Sequence, residues 1–336
     1  METAESPDTL LTPPLRTLLA NIIDYAGLFP PAELRFHEAL QNYVQYRQDP
    51  EAWMLGRFVL PVHRLDELAP FSNLFRAGDE EPYAFSVLGG GGTTPEAFLE
   101  TFAQEVDLLQ RFHADHLDRV RADVMEARLP VTLLDAPIAE TRTFLGDVHR
   151  RLVRAGTAQL DVFYEVPHDL EPTSLRGLAA ALADHNSAQD LPARSTIGLK
   201  MRCGGTTPDA FPPDEHVVQV IAACRDAGAR FKATAGLHHP IRHYSETYES
   251  IMHGFINVFG AAVLAFEHDL DEGGILAIIQ EEDPEAFQFT NDHFVWRDVP
   301  ASVDTIQHVR DELAISFGSC SFDEPRDDLK ELELIR

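Results

Sequence analysis

A chain of 336 residues, 44% of them hydrophobic, is long enough for one large barrel or two ordinary domains. Its net charge of −28 argues against nucleic acid or an anionic membrane as a partner, because both repel an acidic surface, and no apolar run approaches the roughly 20 residues that cross a bilayer. The acidic, polar start METAESPDTL lacks the basic-then-apolar order of a signal peptide, so a cytoplasmic location is expected, and the dense acidity fits a halophilic protein whose self-repulsion is screened by salt.

In chain order, a helical segment near 34–48 precedes a coarse alternation of about 35 residues in which a β-rich apolar run is followed by an amphipathic stretch. The expected strands are Arg57–Val62, Tyr83–Leu88, Asp123–Leu129, Leu160–Val166, Thr196–Arg202, Arg230–Thr234, Phe255–Phe259 and Phe287–Thr290. Between them Pro95–Phe112, Ile138–Ala155, Thr173–Asn186 and Asp214–Ala227 are long enough to return the chain for a parallel strand. Eight such units, with no GxGxxG after the first strand, predict an α/β fold: a closed (β/α)8 TIM-type barrel over 56–299. Residues 1–55 are then an N-terminal helical extension packing on the barrel, and 300–336 a C-terminal helix and tail. The alternative is an open α/β sheet.

A barrel of this kind builds its site at the C-terminal strand ends and the adjoining loops. There Glu126 and Arg128 share a face, as do Asp161 and Glu165 one strand later, then Lys200 with Arg202, and Lys232 with Thr234, because side chains two apart on a strand point the same way. Only three of the 27 basic residues are lysines, Lys200, Lys232 and Lys330. Lysine can lose its proton and attack a carbonyl, which a guanidinium effectively cannot. The turn Gly204-Gly205-Thr206-Thr207 offers backbone N–H groups beside Arg202 to a carboxylate or phosphate, and Gly89–Gly92 is a similar turn. His238, His239 and Asn257 complete the candidate binding residues. With Glu126 and Glu165, His238 is also a candidate ligand for Mg²⁺ or another divalent ion. Absent ligand chemistry, the same charges make a buried network that only fixes the fold.

Near the N-terminus, Asp24-Tyr25-Ala26-Gly27-Leu28-Phe29-Pro30-Pro31 reads either as a lid over the barrel mouth or as a plug of its floor, and the Phe317–Phe322 run is similarly ambiguous. Cys203, Cys224 and Cys320, with no CxxC spacing, form neither a disulfide framework nor a zinc-finger pattern.

At Lys232-Ala233-Thr234-Ala235-Gly236 the chain resembles the lysine-bearing strand of class I aldolases of the deoxyribose-phosphate aldolase type. That resemblance spans about ten residues. It implies a Schiff base on Lys232, with a second lysine lowering its pKa; here that lysine is Lys200, on the preceding strand where the family has it on the following one. Through DYAGLFPPA, LKMRCGG and FKATAGLHHP the whole chain is also similar to a bacterial group of barrel-like proteins, which implies no particular activity. The expectation is therefore a lyase or isomerase acting on a small anionic carbonyl compound. In it Glu165 or Glu126 moves protons, and Arg202, Arg128 and the glycine turn hold the anionic end, with no cofactor. Two alternatives stand beside it: an enolate-forming enzyme with a divalent metal, and a barrel that binds a metabolite without turnover. A homo-oligomer is left open.

Overall fold

The computed structural model describes residues 11–75, 81–116, 119–157, 159–188 and 195–336. Residues 1–10 of the expected extension lie outside that set. Eight parallel strands close into a barrel: β1 (Ile23–Tyr25), β2 (Leu55–Pro61), β3 (Tyr83–Leu88), β4 (Val120–Arg128), β5 (Asp161–Glu165), β6 (Ile197–Arg202), β7 (Arg230–Thr234) and, after two small sheets, β13 (Ala314–Ser319). Strand β13 pairs with β7 on one side and with β1 on the other, and β1 pairs with β2.

Helices α1 (Pro13–Leu19) and α2 (Phe36–Tyr46) precede β2. The outer layer continues with α3 (Pro95–His116), α4 (Ile138–Ala155), α5 (Pro172–Ser187), α6 (Asp214–Ala227), α7 (Phe255–His268), α8 (Glu272–Ile279) and α9 (Val303–Glu312), and the described chain ends in α10 (Asp323–Glu331). The small sheets are an antiparallel pair, β8 (His243–Ser245) and β9 (Ser250–Met252), and a three-stranded sheet of β10 (Phe287–Phe289), β11 (His293–Trp296) and β12 (Val299–Ser302).

The first six expected strands coincide with β2 to β7, but the last two do not belong to the barrel. Phe255–Phe259 opens α7, in which Phe255 through Ala265 are all buried. A helix covered on every side carries no amphipathic period, so its aromatic and β-branched start imitates a buried strand. Phe287–Phe289 pairs, among the described residues, only with β11. The barrel is closed instead by Ile23–Tyr25 and Ala314–Ser319, from the segments expected to be additions, so its strands run from 23 to 319 and not 56 to 299.

Two local features aim the carboxylates of Asp24 and Glu126. Gly56, at the start of β2, lies so close to β1 that a Cβ there would sit 2.4 Å from Asp24 Oδ1; its absence lets the carboxylate accept the Arg57 N–H at 2.7 Å. In β4 the pairing with β3 skips Asp123, an extra residue between Ala122 and Val124. This bulge shifts the inward parity by one and sends Asp123 to Arg57, with Nε–Oδ1 at 2.8 Å. Glu126 is thereby turned into the barrel.

Candidate active site

Neighbouring strands bring Glu165, Lys200 and Lys232 side by side, since Glu165 pairs in register with Lys200 and Lys200 with Lys232. Their side chains meet in a continuous charged chain. Lys232 Nζ donates to Asp24 Oδ2 and to Glu126 Oε1, both at 2.7 Å. Lys200 Nζ lies 2.8 Å from Glu126 Oε2 and 3.0 Å from Glu165 Oε2. The remaining lone pairs are used as well: Ser86 donates to Glu126 Oε1 at 2.7 Å and Ser316 to Asp24 Oδ2 at 2.8 Å. Three carboxylates thus face two ammonium groups, and Arg128 Nε adds a third cation 3.7 Å from Glu165 Oε1.

Burial would raise the Glu126 pKa, but the two lysines outweigh it and hold this carboxyl well below the usual range. Burial would likewise lower the Lys200 pKa, and Glu126 with Glu165 overturns that and holds it above the ordinary lysine value. Both are therefore charged at neutral pH. Burying ions costs several kcal/mol each unless every lone pair and proton is satisfied, which is why the hydroxyls of Ser86 and Ser316 matter here.

Above this cluster opens a cavity of about 460 Å³ at the C-terminal ends of the strands. Glu126, Glu165 and Lys200 reach its wall, joined by Arg128, Arg202, Thr234 and His238 and by Gly205 and Thr206 of the turn after β6. The opposite wall is apolar: Phe29, Pro30, Pro31, Val59, Leu88 and Cys320. The Asp24–Pro31 segment thus supplies both a barrel strand and part of the mouth. Left-handed turns at Ala235 (φ 57°) and Gly236 (φ 73°) fold the loop after β7 against Cys203 and Gly204, too close for a Cβ on Gly236.

Not every expected residue joins the cavity. Lys232 is only 1% exposed and does not line it. Gly204 packs on Phe211 and Gly236 beside the cavity. His239 turns to Asp328 on α10 and stacks edge-on to His243. Asn257 sits in α7, where it accepts from the Arg242 N–H and donates to the carbonyls of Ile278 and Glu281. It is a brace between α7 and α8, placed far from the strand end expected for it because its segment is helical. His238 lines the cavity, with Nδ1 2.9 Å from Glu324 Oε2. His238 is thus engaged by Glu324, and Glu126 and Glu165 are both shared with Lys200. Among the described residues no three His, Cys, Asp or Glu side chains converge in a metal-holding group.

Asp24, Ser86 and Ser316 are the members that sequence reasoning missed. An acid flanked by Ile22, Ile23 and Tyr25 was the available signal for the first.

Fold and site together define an α/β barrel with a charged, partly apolar cavity at the strand ends where such barrels place their ligands. No family model matches the chain, and no curated protein is significantly similar to it in sequence. Among the described residues no helix is long and apolar enough to cross a membrane.

Proposed function

We propose that the protein is an enzyme acting on a small anionic carbonyl compound, with a carbon–carbon lyase or isomerase reaction that passes through an enolate. The observation that carries this reading is Lys200. Its ammonium group is held between Glu126 and Glu165 at the wall of a cavity whose other polar groups include Arg128, Arg202 and the 205–206 turn. Arg202 and the turn bind the substrate's carboxylate or phosphate. Lys200 donates to the carbonyl oxygen, where negative charge develops. Glu165 takes the proton, from the carbon beside the carbonyl for isomerisation or from the β-hydroxyl for cleavage, and the C–H or C–C electron pair moves onto the oxygen that Lys200 holds.

This assigns Lys200 an electrophilic role and departs from the Schiff base on Lys232 that the aldolase resemblance implies. A Schiff base needs a free amine, and Lys232 is out of the cavity with carboxylates on two sides. Asp24 and Lys232 instead fix the orientation and charge of Glu126. The test is solvent exchange: small oxo-acids and sugar phosphates incubated with the protein in D₂O acquire deuterium beside the carbonyl, and Lys200→Met abolishes it. Borohydride trapping in the same mixtures leaves Lys232 unlabelled. A tethered ligand at Lys232 overturns the enolate-by-ammonium reading in favour of the Schiff base, and absence of exchange across the panel removes both.

A further inference from the structure

The opposite end of the barrel carries a second cavity, of about 970 Å³, formed where β2, β3 and β4 begin. Four arginines line it, Arg16, Arg47, Arg57 and Arg121, in a protein whose net charge is −28. Two of them share one carboxylate, since Arg57 Nε and Arg121 Nε each lie 2.8 Å from Asp123. The other two are held without an acid. Arg47 donates to the carbonyls of Glu81 and Pro82 and lies over the Tyr83 ring at 4.1 Å. Arg16 lies over the Trp53 ring at 5.3 Å. Among the described residues neither has a carboxylate within ion-pair distance. Among the described residues the lining thus holds four guanidiniums and one carboxylate, Glu81, with Asp123 paired to Arg57 and Arg121.

We propose that this cavity binds a compact anion bearing two or more negative charges, a phosphate ester or a polycarboxylate, at a site distinct from the one at the strand C-termini. A floor built only for stability would pair its cations with the acids this chain has in excess. Here stacking on Trp53 and Tyr83 fixes the planes of two guanidiniums; Arg47 spends one N–H of each terminal nitrogen on the Pro82 and Glu81 carbonyls and keeps the other of each, with the Arg16 fork, for oxygen acceptors of the kind arginine recognises in carboxylate and phosphate. Concave walls raise the potential of a like-charged cluster further.

Trp53 makes the site observable, because an anion drawing Arg16 off or against its ring alters the indole emission. Fluorescence titration of the full chain with inorganic pyrophosphate and with citrate, at constant ionic strength, should give a saturable change that Trp53→Phe abolishes. Arg16→Ala and Arg47→Ala should each weaken binding about tenfold or more, the loss expected for one charge-assisted hydrogen-bonding partner, while Arg202→Ala at the other mouth leaves it unchanged. Response to pyrophosphate alone assigns a phosphate site and response to citrate alone a polycarboxylate site. The proposal fails if neither probe saturates, if binding survives both floor substitutions, or if Arg202→Ala removes it. It fails also if the emission change follows protein concentration, which would make the arginine face a contact between copies of the chain.

Discussion

Glu126→Gln isolates the electrostatic core of the site with almost no change in shape. The native carboxylate contacts Lys232 through Oε1 at 2.7 Å and Lys200 through Oε2 at 2.8 Å. An amide keeps one acceptor and turns an NH₂ toward the other ammonium. Removing one partner of a buried ion pair costs about 3–5 kcal/mol; the two contacts share one carboxylate, so that range, not its double, is the expected loss. An unfolding entropy of about 2.1 cal/mol/K per residue over 336 residues amounts to about 0.7 kcal/mol/K, so the melting temperature at pH 7 should fall by about 4–7 °C. The pH dependence has a definite sign. Because the Glu126 pKa is depressed in the folded state, its contribution is fully present above the unfolded carboxyl value of about 4.3 and is lost as pH falls through the folded value. Glutamine does not titrate, so the gap between wild type and variant narrows on acidification. Calorimetry from pH 7 to pH 3 measures both. A fall of under about 1 °C at pH 7, or a gap that does not change with pH, refutes the claim that Glu126 is an ionised bridge between the lysines.

Gly56→Ala should drive the Asp24 carboxylate away from the Arg57 N–H and lower stability by about 1–3 kcal/mol, readable in chemical denaturation; an unaffected midpoint would mean that β1 and β2 have room for a Cβ between them. Asn257→Leu leaves the Arg242 N–H and two carbonyls buried without their partner. It should cost about 2–4 kcal/mol without altering D₂O exchange, and a selective loss of exchange would return Asn257 to the site. Melting temperature should rise from low to molar salt as self-repulsion among the excess carboxylates is screened, and a flat salt profile would remove the halophilic reading.

Much of the barrel is legible in the sequence because β2 to β7 alternate with amphipathic helices whose periods are plain; Ile138–Ala155 and Asp214–Ala227 match α4 and α6 to the residue. Closure is not legible. Strand β1 is three residues long and centred on an acid, too short to show a strand's alternation, and it pairs with β13, nearly three hundred residues away in the chain. The largely apolar, buried start of α7 imitates the missing strand and draws the count of eight to the wrong place. The same long-range pairing hides Asp24. Parity on β4 to β7 does bring Glu126, Glu165, Lys200 and Lys232 together, but parity cannot say which lysine meets the cavity. That is decided by depth along the tilted strands, which puts Lys200 at the wall and Lys232 beneath it.

The chain's scarcity of lysine makes the central claim directly measurable. Selective ¹⁵N labelling gives only three side-chain Nζ resonances, for Lys200, Lys232 and Lys330, and Lys200→Arg assigns the first. With Glu126 and Glu165 beside it, Lys200 should show the ammonium shift at neutral pH and keep it above the ordinary lysine value of about 10.4. A neutral amine at Lys200 near pH 7 would contradict the electrophilic role given to it.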